Sequence, residues 1–213
     1  MQVVVTTNQK KKVSKFIQCF AEHKYYLILF SFLLTGMLIG AILVQFINEP
    51  FSNAVNEWVM SFLDIRMTGS YGKLFFSCYL SAFLCVVVIC LSAFGIIGLP
   101  LMPVMVFVRG LGTCLLAGVL YSEFSLQGIM YANLVLLPFC IIFDFMLLYL
   151  SSASMELSRQ FLSVLLIGSD KLKTLKTNGI KLLRRALIVC VLLIPTSLLD
   201  ATFNVLLIKY IDF

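Results

Sequence analysis

The stretch Leu74 to Tyr121 reads LFFSCYLSAFLCVVVICLSAFGIIGLPLMPVMVFVRGLGTCLLAGVLY, and Arg109 is its one charged residue. It divides at Gly95-Ile96-Ile97-Gly98-Leu99-Pro100-Leu101-Met102-Pro103. Glycine and proline there end one helix and begin the next. Each half has the 20 or so residues that cross about 30 Å of hydrocarbon as a helix. So short a link forces the two helices to be antiparallel neighbours.

Further apolar runs of similar length lie at 26–48, 128–150 and 186–208, beside the pair at 74–97 and 99–121. The whole chain of 213 residues is 61% hydrophobic and 12% charged, with a mean hydropathy of +1.04. Soluble domains carry about 25% charge. The predicted fold is therefore all-α, a polytopic membrane helix bundle of about five transmembrane helices with interfacial amphipathic helices. Residues 1–25 read as a basic cytoplasmic tail and 26–213 as one transmembrane domain. No segment outside the spans is long enough to bury a sizeable core, which excludes a separate soluble catalytic domain.

Charge sets the expected orientation, because basic residues near span ends stay on the cytoplasmic side. Lys10, Lys11, Lys12, Lys15 and Lys24 precede the first span, and Arg159, Lys171, Lys173, Lys176, Lys181, Arg184 and Arg185 fall in the connection 151–185. The alternate side receives Arg66, Lys73 and Lys209. The expectation is an N-terminus inside and a C-terminus outside, with the basic segments against anionic headgroups of membrane lipids. No nucleic-acid partner is expected, since no basic segment is interleaved with stacking aromatics. The first apolar run exceeds a signal-peptide core and lacks a small-x-small site after it, so it reads as a retained anchor. Of seven cysteines, none lies in an expected external loop, and a disulfide framework is not supported.

In the connection 49–73, Phe51, Val55, Trp58, Val59 and Phe62 recur at helical spacing. This predicts a short amphipathic helix on the outer membrane surface with Trp58 at headgroup level. It serves either as a lid packed on the bundle or as a docking ledge for an external partner through Phe51, Val55, Trp58 and Phe62. The connection 151–185 reads as one or two cytoplasmic amphipathic helices broken near Gly168-Ser169-Asp170.

Catalytic apparatus is missing from the pattern. His23 is the single histidine, so zinc chemistry and a Ser-His-Asp arrangement both lack parts. Gly110-Leu111-Gly112 is a fragment of a dinucleotide fingerprint without its third glycine or its strand. The reading is non-enzymatic, with no cofactor and no metal.

Arg109, Asp144 and Asp200 lie within spans, where charges mark a function or pair with each other. Depth along the helices puts either aspartate within reach of Arg109. Asp144 is favoured because its span follows that of Arg109 directly. The pair either fixes helix register or forms part of a proton or ion relay.

Gly36 and Gly40 form a Gly-x-x-x-Gly face, and Gly110, Cys114 and Gly118 repeat small residues four apart. Such faces pack helices within one chain or join two copies as a homo-oligomer. Pro138 and Pro195 are expected to kink their spans, with Thr196 and Ser197 placed to bond freed carbonyls.

Ile96-Ile97-Gly98-Leu99-Pro100, the run into Arg109-Gly110 and Gly118, and Asn133-Leu134-Val135-Leu136-Leu137-Pro138 together resemble the stage II sporulation protein M family. In that family an Ile-Gly-x-Pro turn leads into a helix with a basic residue before glycine, and an Asn-Leu-x-Leu-x-Pro segment lies on the next span. Thr35 to Ala41, with Gly36 and Gly40, is similar to the family's first span, and the likeness runs over about 25–205. The chain departs from the family at Met130-Tyr131-Ala132. The resemblance implies a scaffold in the mother-cell membrane around the forespore of endospore-forming bacteria. Its implied partners are a lytic transglycosylase and an amidase/endopeptidase, peptidoglycan hydrolases that it localises during engulfment. The alternative is a small transporter or permease subunit with a polar site at Arg109, Asp144 and Asp200.

Overall fold

The computed structural model describes residues 24–46, 49–167 and 172–208. The tail lysines before Lys24, the Gly168-Ser169-Asp170 break and the segment Lys209 to Phe213 lie outside the described residues, as does the side chain of Phe51. Among the described residues every regular element is helical: α1 (Lys24–Phe46), α2 (Glu49–Thr68), α3 (Tyr71–Ala93), α4 (Gly98–Tyr131), a π turn (Ala132–Leu136), α5 (Leu137–Ile167) and α6 (Leu172–Ile208). Four continuous stretches among them are long and apolar enough to cross a membrane.

The longest of these, Gly98–Leu166, would measure about 100 Å if straight. It instead folds back at Ser125, whose φ of 48° and ψ of −123° leave the helical region. Gly128 then lies against the Leu120 carbonyl, where a β-carbon would collide with backbone. A positive φ at serine is strained, and here it makes an abrupt reversal between the runs 99–121 and 128–150. At the other end of α4 a turn of short hydrogen bonds, including Gly98 N–H to the Gly95 carbonyl at 3.3 Å and Leu99 N–H to Ile96 at 3.2 Å, joins it to α3. Pro100 falls in the first turn of α4, where a missing N–H leaves nothing unpaired.

Side-chain contacts fix the directions. Gly36 lies against the Phe107 carbonyl, and a β-carbon added at Gly40 would lie 2.6 Å from the Leu111 carbonyl and one at Gly110 2.5 Å from that of Leu33. The residue numbers rise together, so α1 and α4 run parallel with their backbones in contact. The small-residue faces thus pack two helices of one chain. Gly118 continues the seam against the Val44 side chain.

α5 runs parallel to α3, with Ser154 Oγ donating to the Ile89 carbonyl at 3.1 Å and Ser158 Oγ to that of Gly95 at 2.7 Å. Cys78 on α3 meets Asp200 on α6, and Arg185 stacks on Tyr149, so α6 opposes both. The main core gathers Leu29, Val86, Ile89, Met102, Leu147, Leu150 and Leu193 from these five helices.

Two expected boundaries change. The fourth span was expected to end at 150, with amphipathic helices following. α5 continues to Ile167, and Ser151, Ser152, Ser154, Met155, Leu157 and Ser158 are buried in the bundle. Serines at 151, 154 and 158 form one small polar face that lets α5 approach α3 closely, each bonded hydroxyl replacing its lost water contact. The helix at 49–73 is also more than a surface strip. Val59 and Leu63 are buried against Leu116, Leu120, Tyr131 and Leu136, with Val55 and Phe62 packed beside them.

The prolines act as expected in kind and differ in detail. The π turn Ala132–Leu136 absorbs the hydrogen bond that Pro138 cannot make. Asn133 Nδ2 donates back to the Ile129 carbonyl at 2.8 Å at that break. At Pro195, the Thr196 hydroxyl reaches the carbonyls of Leu192 and Leu193, both at 3.0 Å. The Ser197 hydroxyl is buried without a hydrogen-bond partner among the described residues.

Candidate functional site

Among the described residues, the charged side chains inside the bundle fall into two clusters. In the first, Arg109 on α4 points Nε at Asp144 Oδ1 on α5, 3.2 Å away. Its guanidinium lies over the Phe143 ring at 4.7 Å, and Nη2 is 3.7 Å from Cys140 Sγ. Thr113 Oγ1 donates to the Arg109 carbonyl one turn on. The structure thereby brings together two of the three charges singled out from sequence, and it leaves Asp200 elsewhere.

Asp200 belongs to the second cluster. Arg66 Nη2 meets Asp200 Oδ2 at 2.7 Å and Nη1 meets Oδ1 at 3.4 Å, the two-pronged arrangement that a guanidinium makes with a carboxylate. Cys78 Sγ donates to Oδ2 from α3 at 3.1 Å. Asn204 Nδ2 donates to the Arg66 carbonyl at 3.0 Å, and the Tyr131 hydroxyl donates to Asn204 Oδ1 at 2.7 Å. Phe62 covers the guanidinium at 4.6 Å. Four helices, α2, α3, α4 and α6, are tied at this point.

Burial separates the clusters. The Arg66 and Asp200 side chains are 4% and 2% exposed, whereas that of Arg109 is 31% exposed. Burial opposes the charge on Arg66, but the Asp200 carboxylate, with smaller help from Tyr131 and Cys78, holds its pKa above the ordinary arginine value. Arg66 therefore stays cationic at any accessible pH.

Depth explains why Asp144 and Asp200 part company. Ser158 is level with the α3–α4 turn. From there Arg109 lies about 16 Å along α4 and Asp144 about 21 Å along α5, at 1.5 Å per residue. Taking 150 as the end of the span had put Asp144 much nearer that end. Cys78 lies about 25 Å from Gly95 along α3, and Asp200 is beside it. The second cluster thus sits towards the other end of the bundle, where α2 reaches it.

Arg66 is the functional candidate that sequence reading left among external loop charges. Its signal was present: Val55, Val59, Phe62 and Arg66 fall at successive three- and four-residue steps, so Arg66 shares the apolar face of α2. Trp58 is 52% exposed, and it stacks on Phe62 at 6.4 Å. Of the four residues considered for partner docking, Val55 and Phe62 are turned to the bundle and Trp58 is left outward. Asn56 Nδ2 reaches Glu123 Oε1 at 3.3 Å, joining α2 to the tip of the α4 reversal.

At the opposite end Arg159 donates to the Tyr25 hydroxyl at 2.8 Å, and Lys24 lies 5.2 Å from the Tyr25 ring. Basic residues of α1, α5 and α6 therefore gather at one end. Among the described residues no group of three histidine, cysteine or acidic side chains could hold a metal ion.

Arg109→Ala removes the Asp144 counter-charge while leaving an acid that can take up a proton. The expected loss is about 1–3 kcal/mol, that of a buried acceptor deprived of its donor, read as a lower thermal unfolding temperature in detergent. Undiminished yield and stability would remove any structural role for the pair. No family model, curated protein or solved structure matches the chain.

Proposed function

We propose that the chain is a non-enzymatic membrane scaffold of the kind implied by its resemblance to the stage II sporulation protein M family. On this reading it crosses the membrane five times, N-terminus inside and C-terminus outside, because the reversal at Ser125 divides the longest apolar stretch into two crossings. The gathering of Lys24, Arg159 and Arg185 at one end supports that orientation. The observation that carries the proposal is α2. It is a helix seated at the far end of the bundle by a buried ion pair, with Trp58 on its outward side. A fixed helix at the outer surface is a suitable platform for proteins that act on the cell wall.

The partners proposed are a lytic transglycosylase and an amidase/endopeptidase, held in the mother-cell membrane during engulfment. Co-purification from sporulating cells is the test. Retention of either hydrolase supports the scaffold; retention of neither, together with normal engulfment when the chain is deleted, rejects it.

A transporter built on Arg109, Asp144 and Asp200 as one polar site is less well supported, because Asp200 is engaged by Arg66 in a separate cluster.

A further inference from the structure

The two carboxylates inside the bundle have their oxygens satisfied to different degrees. Asp200 uses both, one on each terminal nitrogen of Arg66, and Cys78 adds a third donor. Asp144 uses one. Its Oδ1 accepts from Arg109 Nε, while Oδ2 is buried with no hydrogen-bond partner among the described residues. The residue is 3% exposed. A charged oxygen in that position lacks both water and a donor, and the protein supplies neither.

The surroundings of Asp144 contain little else that could satisfy it. Arg109 is the charged group acting on it. Cys114 of α4 lies within its electrostatic range, and Cys140, one turn away on α5, lies within range of both Asp144 and the Arg66–Asp200 pair. α1 carries no charged residue after Lys24 among its described residues. α3 has Lys73 near its start, and α6 offers Asp200, already held by Arg66. Two turns along the same face of α5, the Ser151 hydroxyl is also buried and unpaired.

We propose that Asp144 Oδ2 is a proton-binding site. A proton delivered by hydronium adds to a lone pair of Oδ2, water leaves, and the carboxyl becomes neutral. Oδ1 remains an acceptor for Arg109. The unit then carries one net positive charge on the guanidinium, which the Phe143 ring face stabilises at 4.7 Å. The site is independent of the scaffold reading and stands or fails separately from it.

The test uses the full chain in lipid vesicles and dicyclohexylcarbodiimide, a reagent for carboxylic acids in apolar surroundings. The acid proton passes to a carbodiimide nitrogen and the carboxylate oxygen bonds to the central carbon, after which rearrangement leaves a stable N-acylurea. Peptide mass spectrometry then locates it. Asp144 is expected to be modified increasingly as the pH is lowered. Its modification should exceed that of Asp200, both of whose oxygens are engaged by Arg66. Asp144→Asn should remove the adduct. Equal modification of Asp200, or an unmodified Asp144 in protein that still shows a cooperative unfolding transition, would overturn the proposal. The wild-type comparison of the two aspartates needs no variant to fold.

Discussion

Asp200→Ala is expected to deplete folded protein from the membrane, with a loss of about 3–5 kcal/mol, the size seen when one partner of a buried ion pair is removed. The sign follows from what remains. Arginine cannot shed its proton, so Arg66 would stay charged, 4% exposed and without its carboxylate. Arg109→Ala is milder because the residue left behind, Asp144, can become neutral. Replacing both members of the Arg66–Asp200 pair by apolar residues of similar volume should recover much of the loss, since a buried pair is often neutral against a well-packed apolar substitute. Thermal unfolding of Asp200→Ala and of the double Arg66→Met, Asp200→Leu variant in one detergent checks this. A single variant as stable as the parent would mean that α2 is not held by the pair.

Gly110→Val should also be severe, and a glycine two residues away provides the control. A β-carbon at Gly110 would lie 2.5 Å from the Leu33 carbonyl and 3.2 Å from the Met37 nitrogen, both backbone atoms that cannot swing aside. The parallel helices α1 and α4 would have to separate along their seam. Overpacking usually costs about 1–3 kcal/mol, and a backbone collision belongs at the upper end. Gly112 has nothing within 4 Å of its β-carbon position. Gly112→Ala should therefore be neutral or stabilising by up to about 1 kcal/mol through helix propensity. Comparing unfolding temperatures of the two variants decides it. If both behave alike, α1 and α4 are not in backbone contact.

How far the molecule could be read from its sequence differs from element to element. The helical class and the α3–α4 hairpin are written in long apolar runs broken by Gly95 and Pro100, where hydropathy and turn chemistry agree. Arg109 and Asp144 could be brought together because intramembrane charges are scarce and their helices are consecutive. The Arg66–Asp200 pair could not, since it joins residues far apart in sequence and depends on how α2 folds over the bundle. The nearest local signal was the shared face of Val59 and Arg66. Ser151 to Ser158 was read as polar connection because hydropathy falls there, yet these serines are buried, with Ser154 bonding an α3 carbonyl and Ser158 one in the turn that follows α3. Periodicity sees polarity, and it does not see that serine is small enough to let two helices touch. The reversal between the runs 99–121 and 128–150 was expected, but its placement at Ser125 was not, because a positive φ is ordinarily taken by glycine.

The Arg66–Asp200 cluster gives the scaffold reading its physical basis. A helix rich in polar residues lies at one end of the bundle, and its buried Arg66 is tied to α6. That tie holds Trp58 in a fixed place relative to the bundle. The neighbouring contact between Asn56 and Glu123 holds the same helix at a second point, so the outward face should move with the bundle as one body.

The most direct measurement performs the co-purification from that face, with Trp58 replaced by a photo-crosslinking amino acid in sporulating cells. The account predicts a covalent adduct between α2 and a peptidoglycan hydrolase, formed on the outer side of the membrane. Adducts to lipid alone, or to cytosolic proteins, in cells that hold normal amounts of the chain would contradict it.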